Sequence, residues 1–238
     1  MQLFYTQQID GQIATFDDDE AHHATQTLRM KIGNELSFTD GIGNIYRGNI
    51  IDIGKKKCAV HILEKKSETP LTSLLHIAIA PTKNIDRFEF FLEKCTEIGI
   101  HAITPLVCKR SERQIIKPER LNKILVSAMK QSLRSFLPQL HPAQSFEDFV
   151  LRDFKNSVKL LAHCEEHIDR STTKTTLDKS YQKEKNAVIL IGPEGDFSPE
   201  EIISAHKNGF TDVSLGDARL RTETAGIFAC CAFNLIVG

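Results

Sequence analysis

The chain has no tryptophan and only three tyrosines among its 238 residues. That scarcity argues against an aromatic platform on which successive bases of a single strand would stack. Nor is there an excess of charge. Thirty basic and 31 acidic side chains leave a formal charge of −1, so a nucleic-acid partner would be met by local basic patches and not by a global field. No apolar run reaches membrane-spanning length and the signal-peptide pattern is missing, so a cytoplasmic protein without membrane contact is expected. The six cysteines lack paired metal-ligand spacing. Cys95, Cys230 and Cys231 fall in helix-like apolar patterns and read as buried, reduced thiols. The phosphate-binding signatures are missing too. There is no P-loop, and Gly41-Ile42-Gly43-Asn44-Ile45-Tyr46 fails the GxGxxG pattern and lacks its βαβ setting.

What is there begins with organisation. Hydrophobic residues make up 41%, enough for one or two cores. Up to about residue 68 the chain reads as strands, Gln2 to Thr6, Glu35 to Thr39, Asn44 to Ile53 and Cys58 to Leu63, with turns at Asp40-Gly41-Ile42-Gly43 and Gly54-Lys55. A short helix from about Asp18 to Arg29 interrupts them. Lys65-Lys66-Ser67-Glu68-Thr69-Pro70 reads as a polar linker. Beyond it strands and helices alternate. Leu74 to Ala80, Ala102 to Val107, Val158 to Ala162 and Ala187 to Ile191 are strands. Asn84 caps a helix with Phe88, Phe91, Leu92, Cys95 and Ile98 on one face, ended by Gly99. Pro118 opens another with Leu121, Ile124, Leu125 and Ala128 inside. Residues 169–186 read as a polar surface loop. This alternation predicts an α/β layer structure with a parallel sheet.

Two glycine-bearing loops stand out near the end of the chain. Ile191 closes an apolar run, and Gly192-Pro193-Glu194-Gly195-Asp196-Phe197 follows. Ser198 is then a good N-cap, with Pro199 at the first helical position and Glu201 completing a capping box. Ile202, Ile203 and Ala205 give that helix an apolar face and Gly209 closes it. Val213 and Leu215 alternate as strand residues before Gly216. A last helix starts near Thr222 or Thr224 and carries Ile227, Phe228, Cys231, Phe233 and Leu235. Two such loops at strand ends predict one ligand pocket made mainly of backbone.

These motifs carry a resemblance. Gly-Pro-Glu-Gly-Asp-Phe-Ser with Leu-Gly-x-x-x-Leu-Arg-x-Glu-Thr-Ala resembles the SPOUT-class RNA methyltransferases, and more closely the ribosomal small subunit RNA uridine N3-methyltransferase family. Arg87 to Gly99, Ile103-Thr104-Pro105-Leu106, Arg110-Ser111-Glu112-Arg113, Gln131-Ser132 with Arg134, and Leu28 to Gly33 with Asp40-Gly41 follow the family in order. The resemblance implies a trefoil-knotted α/β methyltransferase domain over residues 72–238 and a PUA-like β-barrel RNA-binding domain over residues 1–68. It implies S-adenosyl-L-methionine as cofactor, a homodimer, and methylation of N3 of a uridine in 16S ribosomal RNA of the assembled small subunit. For the cofactor it points to Leu161, His163, Ile191, Gly192, Pro193, Glu194, Gly195, Leu215, Gly216, Leu220, Arg221, Thr222, Thr224 and Ala225. Arg29, Lys109, Arg110, Arg113 and Arg134 are the candidates for RNA contact, and Lys55-Lys56-Lys57 with Lys65-Lys66 form further basic turns. The chain departs from the family at Asp196, where a small residue is common, at Ala218-Arg219, where an Arg followed by an aliphatic residue is usual, and at Lys130, where an acid is common. Two other readings stay open: a non-catalytic RNA-binding ribosome assembly factor, and a knotted methyltransferase acting on transfer RNA or a ribose 2′-hydroxyl.

Uridine N3 holds a weakly acidic proton and is a poor nucleophile until that proton leaves. A site for it needs a base, or a cation that stabilises the uracil anion. Arg221 is the expected cation, and Glu223 or Glu194 the base or orienting group. Glu223 equally suits the electrostatics of a helix N-terminus. His163-Cys164-Glu165-Glu166-His167 fits the H-x-x-E-H pattern of inverted zinc peptidases, but it follows a strand where that pattern needs a helix, so no metal is expected. His22-His23 reads as a surface or packing pair.

Overall fold

The computed structural model of the chain describes residues 2–69, 72–165 and 174–237. They fall into two compact units, one of Met1–Pro70 with Val126–Leu137 and the other of Leu71–Leu125 with Pro138–Gly238.

The first unit is a six-stranded sheet of β1 (Leu3–Tyr5), β2 (Ile9–Asp10), β3 (Ile13–Phe16), β4 (Glu35–Thr39), β5 (Asn44–Ile53) and β6 (Cys58–Ser67), in the order β1-β4-β5-β6-β3-β2. Only β1 and β4 pair in parallel. Phe4, Phe16, Phe38 and Tyr46 interlock inside it, Phe16 and Phe38 edge to face at 5.4 Å and Phe38 stacked on Tyr46 at 4.9 Å. The Asp40 carboxylate organises the turn before β5. It accepts from the Ile42 and Asn44 backbone N–H groups, the Asn44 amide and the Tyr46 hydroxyl.

Two expectations are modified here for local reasons. The helix expected from about Asp18 to Arg29 is helical from Asp18 to Thr27, but only α1 (Asp18–His22), capped by Asp17, is an α-helix. The backbone then slips to a π turn at His23–Thr27, with Leu28 N–H donating to His23 O, and Arg29 lies at φ 54. The polar stretch from Lys65 is not a linker at its start. Cross-strand pairing with the ten-residue β5 carries β6 to Ser67, and the Lys65 ammonium lies 5.6 Å from the centre of the Tyr46 ring. Lys130 has a structural partner in this unit, pairing with the buried carboxylate of Glu20. Arg134 is half-buried and Arg29 exposed.

The second unit is an all-parallel sheet. Its strands are β7 (Leu75–Ile79), β8 (Ala102–Val107), β9 (Gln139–Leu140), β10 (Gln144–Ser145), β11 (Ser157–Ala162), β12 (Thr175–Thr176), β13 (Asn186–Ile191) and β14 (Thr211–Ser214). The order is β10-β8-β7-β13-β11-β14-β12, with β9 on β8. The apolar run of β13 is central and buried on both faces, as an all-parallel strand must be. Val188 and Leu190 pack on one side with Ile202 and Ala205 of α6 (Pro199–Lys207) and Phe146, Phe149 and Val150 of α4 (Phe146–Val150). On the other side lie α2 (Ile85–Ile98) and α7 (Thr222–Val237). Those two meet at Gly226, where a Cβ would strike the Phe91 ring and Ile79. Asn84 caps α2 by accepting Asp86 N–H, and Gly99 ends it at φ 119. The helix opened by Pro118, α3 (Pro118–Gln131), buries Leu121, Leu125 and Ala128.

Residues 174–186 are not the expected open loop. Thr175–Thr176 adds an edge strand, Leu177–Ser180 forms the single turn α5, and Tyr181 is buried edge to face on Phe233 with its hydroxyl donating to Ala229 O. Other expected core positions face outward, since Ile203, Phe228 and Leu235 are exposed.

His76 on β7 sits against Thr104, His141, Phe149 and Phe154, and burial followed by the nearby His141 and Arg152 charges push its pKa down to about 3. The folded protein therefore holds His76 neutral while the unfolded chain takes up a proton below its ordinary value of 6.5. Stability from this group is complete above pH 6.5 and lost as pH falls toward 3, by an amount on the order of 4–5 kcal/mol. A His76→Gln variant is expected to flatten the fall of Tm between pH 7 and pH 4.5, read by calorimetry; an unchanged slope would place the acid sensitivity elsewhere.

Candidate active site

In a parallel sheet the ligand crevice lies beyond the carboxyl ends of the strands. Five loops meet there in the second unit, following β7, β8, β11, β13 and β14, and they hold one another through backbone groups. The Thr222 hydroxyl donates to Gly192 O at 3.1 Å, joining the two glycine loops. Glu194 accepts Lys83 N–H at 2.9 Å, which ties the β13 loop to the β7 loop. Glu201 forms the expected capping box with Ser198 and also accepts Lys109 N–H at 2.8 Å.

The guanidinium of Arg110 donates to Gly195 O and Phe197 O, and that of Arg113 to Thr82 O and Lys83 O. Lys109 reaches Glu200 at 3.3 Å. These side chains buttress the loop walls. Asp196 supplies the last link. It lies at φ 64, in the left-handed region where Gly, Asn and Asp are tolerated. Its carboxylate accepts Cys164 N–H at 2.7 Å and Phe197 N–H at 2.8 Å, so the β13 loop is bound to the β11 loop.

The loops enclose a cleft of about 860 Å³, within the range of about 300–1,000 Å³ that suits a cofactor-sized molecule. Of the residues expected at a ligand, His163, Ile191, Gly192, Pro193, Glu194, Leu215, Gly216, Leu220, Arg221, Thr222 and Ala225 line it. Leu161, Gly195 and Thr224 do not. Leu161 is buried in the core, Gly195 backs onto Arg110, and Thr224 is exposed on α7. The wall also contains residues that sequence reasoning did not name as ligand contacts, among them Cys164, Lys174, Asp196, Ser214, Asp217 and Arg219. The departures from the family pattern at Asp196 and Arg219 were the available signal for two of these, and Lys174 gave none.

Arg221 is exposed and lines the cleft. Glu223 is nearly buried, 3.9 Å from Arg87, and is not part of the cleft wall. Arg29 and Arg134 belong to the first unit. His163 follows the end of β11, while Glu166 and His167, the rest of the H-x-x-E-H pattern, lie outside the described residues.

Residues 67–234 match the family described as RNA methyltransferase domain, and residues 16–63 match RNA methyltransferase PUA domain. The chain belongs to the RNA methyltransferase family. It is 30% identical to ribosomal RNA small subunit methyltransferase E of Buchnera aphidicola, over 96% of this chain and 90% of the relative. Among solved structures it is similar to a probable rRNA-methyltransferase from Porphyromonas gingivalis, with 38% identity, a TM-score of 0.90 and coverage of 99% and 98%. It is also similar to a putative methyltransferase from Legionella pneumophila in complex with bound S-adenosylmethionine, with 28% identity, a TM-score of 0.81 and coverage of 96% and 94%.

Removing the Asp196 carboxylate leaves two backbone N–H groups of the loops without their charged acceptor. An Asp196→Ala variant is expected to lower the hydrogen-exchange protection of the Cys164 amide by about tenfold or more, matching the loss of a hydrogen bond to a charged group. Asp196→Asn, which keeps an acceptor oxygen, is expected to retain part of that protection. Equal protection in all three proteins would show that the loops are held without this link.

Proposed function

We propose that the chain transfers a methyl group from S-adenosylmethionine to N3 of a uridine in 16S ribosomal RNA, acting on the assembled small subunit. The observation that carries this reading is the cleft between the two glycine loops, with Arg221 on its wall, in a chain of the RNA methyltransferase family. The cofactor fits the residues present. Gly192 and Gly216 both line the cleft; a Cβ on Gly192 would crowd Phe197 of its own loop at 3.2 Å, and Gly216 takes φ 112, a conformation that favours glycine. When bound, S-adenosylmethionine supplies an electrophilic methyl group on a sulfonium. The Gly192–Gly195 and Leu215–Leu220 loops hold it chiefly through main-chain groups, and Thr222 keeps the two loops in register.

The protein's remaining task is the N3 proton and the charge left by its departure. Arg221 places a permanent cation in the cleft, which stabilises the uracil anion on its carbonyl oxygens. Glu194 lines the cleft with one carboxylate oxygen anchored on Lys83 N–H, which suits an orienting group. The position of Glu223, close to Arg87 and off the cleft wall, favours helix N-terminal electrostatics for that residue. A trefoil knot is supported by the strand order, in which β13 enters between β7 and β11 while β14 lies outside β11. The first unit, matching a PUA domain, suits RNA binding as a small barrel. A homodimer is supported by the outward apolar side chains of α7, Phe228 and Leu235, the latter 86% exposed.

With methyl-labelled S-adenosylmethionine and small subunits from a strain lacking this gene, label is expected in 3-methyluridine after digestion to nucleosides. Label in a ribose-methylated or other nucleoside would replace the chemistry proposed here, and cofactor binding without transfer would point to a different RNA. Arg221→Ala is expected to lower kcat by about 10²–10³, the usual cost of removing one charge-stabilising donor, and normal turnover would remove its role. Phe228→Glu is expected to convert a dimer to monomers in sedimentation experiments; an unchanged mass would move the interface elsewhere.

A further inference from the structure

One side-chain cluster borders the cleft at His163 and extends away from it to two residues that the function argued above does not use. The parallel register of β11 and β14 sets Asp212 opposite Leu161, two residues before His163. His206 comes from the last turn of α6, six residues before Asp212. The three side chains converge. His206 Nε2 lies 2.7 Å from Asp212 Oδ1, and His163 Nε2 lies 3.0 Å from the same oxygen. One ligand atom from each residue lies within 4.8 Å of the other two. The His163 side chain is only 2% exposed. Its Nε2 is aimed into this cluster without the alignment of a hydrogen bond, a buried polar atom with no hydrogen-bond partner.

We propose that His163, His206 and Asp212 form a binding site for a divalent transition-metal ion of the zinc class. Two imidazoles and a carboxylate are a favoured donor set for such ions, with a fourth position left for water. Tetrahedral bonds of about 2.0–2.1 Å place neighbouring ligand atoms about 3.3 Å apart. The separations of 2.7 and 3.0 Å to Asp212 Oδ1 are shorter than that, by about 0.6 and 0.3 Å, within the reach of side-chain rotation. An ion at the centre would also satisfy the His163 Nε2 that the protein alone leaves unpaired.

Lys174 and Asp196 are charged groups near His163 beside Asp212, and Lys174 touches it. The Lys174 ammonium donates to His163 O at 2.6 Å and lies 3.4 Å from His163 Nδ1. Metal binding puts the ring proton on Nδ1, so Lys174 keeps its carbonyl bond and gives up the longer approach to the ring. The site would join the end of β11, which lines the cleft, to the α6–β14 corner. Its role is structural, and no step of the methyl transfer passes through it.

The test uses the full chain, stripped with chelator and dialysed, then titrated with zinc chloride by calorimetry and with cobalt chloride by absorption. One zinc per chain is expected. Tm should rise by about 5–10 °C when zinc stands about 100-fold above its Kd. The cobalt spectrum should show visible d–d bands of a nitrogen and oxygen site, without the near-ultraviolet charge-transfer band that a cysteine thiolate such as exposed Cys164 would give. His206→Ala should weaken zinc by at least about 100-fold, because even groups one step removed from a metal cost about 10–100-fold. Asp212→Asn should do the same, and Cys164→Ser should leave binding unchanged. Absence of stoichiometric binding, a thiolate band, or affinity that survives both ligand substitutions would each overturn the proposal.

Discussion

The site in this protein depends on one strand. β13 is buried on both faces and pairs in parallel with β7 on one side and β11 on the other, so neither its register nor its direction can slip without exposing a full set of apolar side chains. That constraint fixes where Ile191 ends and Gly192 begins. It brings the carboxyl ends of β7, β11 and β13 to one edge, and β14 joins them through β11. The loops that form the cleft share the core of the sheet, into which the β13 loop sends Phe197 and the β8 loop Cys108. Their positions are inherited from the sheet and then refined by a handful of hydrogen bonds.

Those bonds share a pattern. Thr222 bonds to the carbonyl of Gly192, Glu194 to the N–H of Lys83, Asp196 to the N–H of Cys164, and Arg110 and Arg113 to loop carbonyls. In each case a side chain from one loop satisfies the backbone of another. A loop running across a strand edge exposes peptide groups that need partners. Here they are met by neighbouring loops, which leaves other backbone edges of the glycine loops to face the cleft. Preorganisation of this kind spares the ordering cost that a mobile loop would bring to ligand binding.

Much of this was legible in the sequence. The capping box at Ser198 and Glu201, the Asn84 cap and Gly99 stop of α2, the apolar run of β13 and the two glycine motifs are local signals, set by residues a few positions apart. What escaped was set at a distance. Lys65 and Lys66 look like linker residues because their own side chains are polar. They are strand because β5 is long enough to pair with them. Residues 175–181 look like loop because their apolar content is small, but Tyr181 docks against Phe233, which sequence patterning cannot foresee. Thr224 falls off the cleft wall because α7 begins at Thr222 and its helical turn carries position 224 outward. Asp196 shows the converse. Its departure from the usual small residue marked the position without saying what the carboxylate does, and only the fold brings Cys164 to it.

The basic residues divide by what they touch, and that division matters in a chain with almost no net charge. In the sequence Arg221 is the expected cation of the reaction, and Lys109, Arg110, Arg113 and Arg134 are candidates for RNA contact. In the folded protein Arg110 and Arg113 direct their guanidinium donors to backbone carbonyls, and Lys109 pairs with Glu200, so their first work is to hold loops. Arg221 differs in its setting. It immediately precedes the first residue of α7, it is exposed, and it faces the cleft beside Gly192 and Leu220. A guanidinium at that position presents a planar fork of donors. Thr222, the next residue, anchors that backbone to the opposite loop, so the cation proposed for the chemistry and a residue that holds the scaffold are neighbours in the chain.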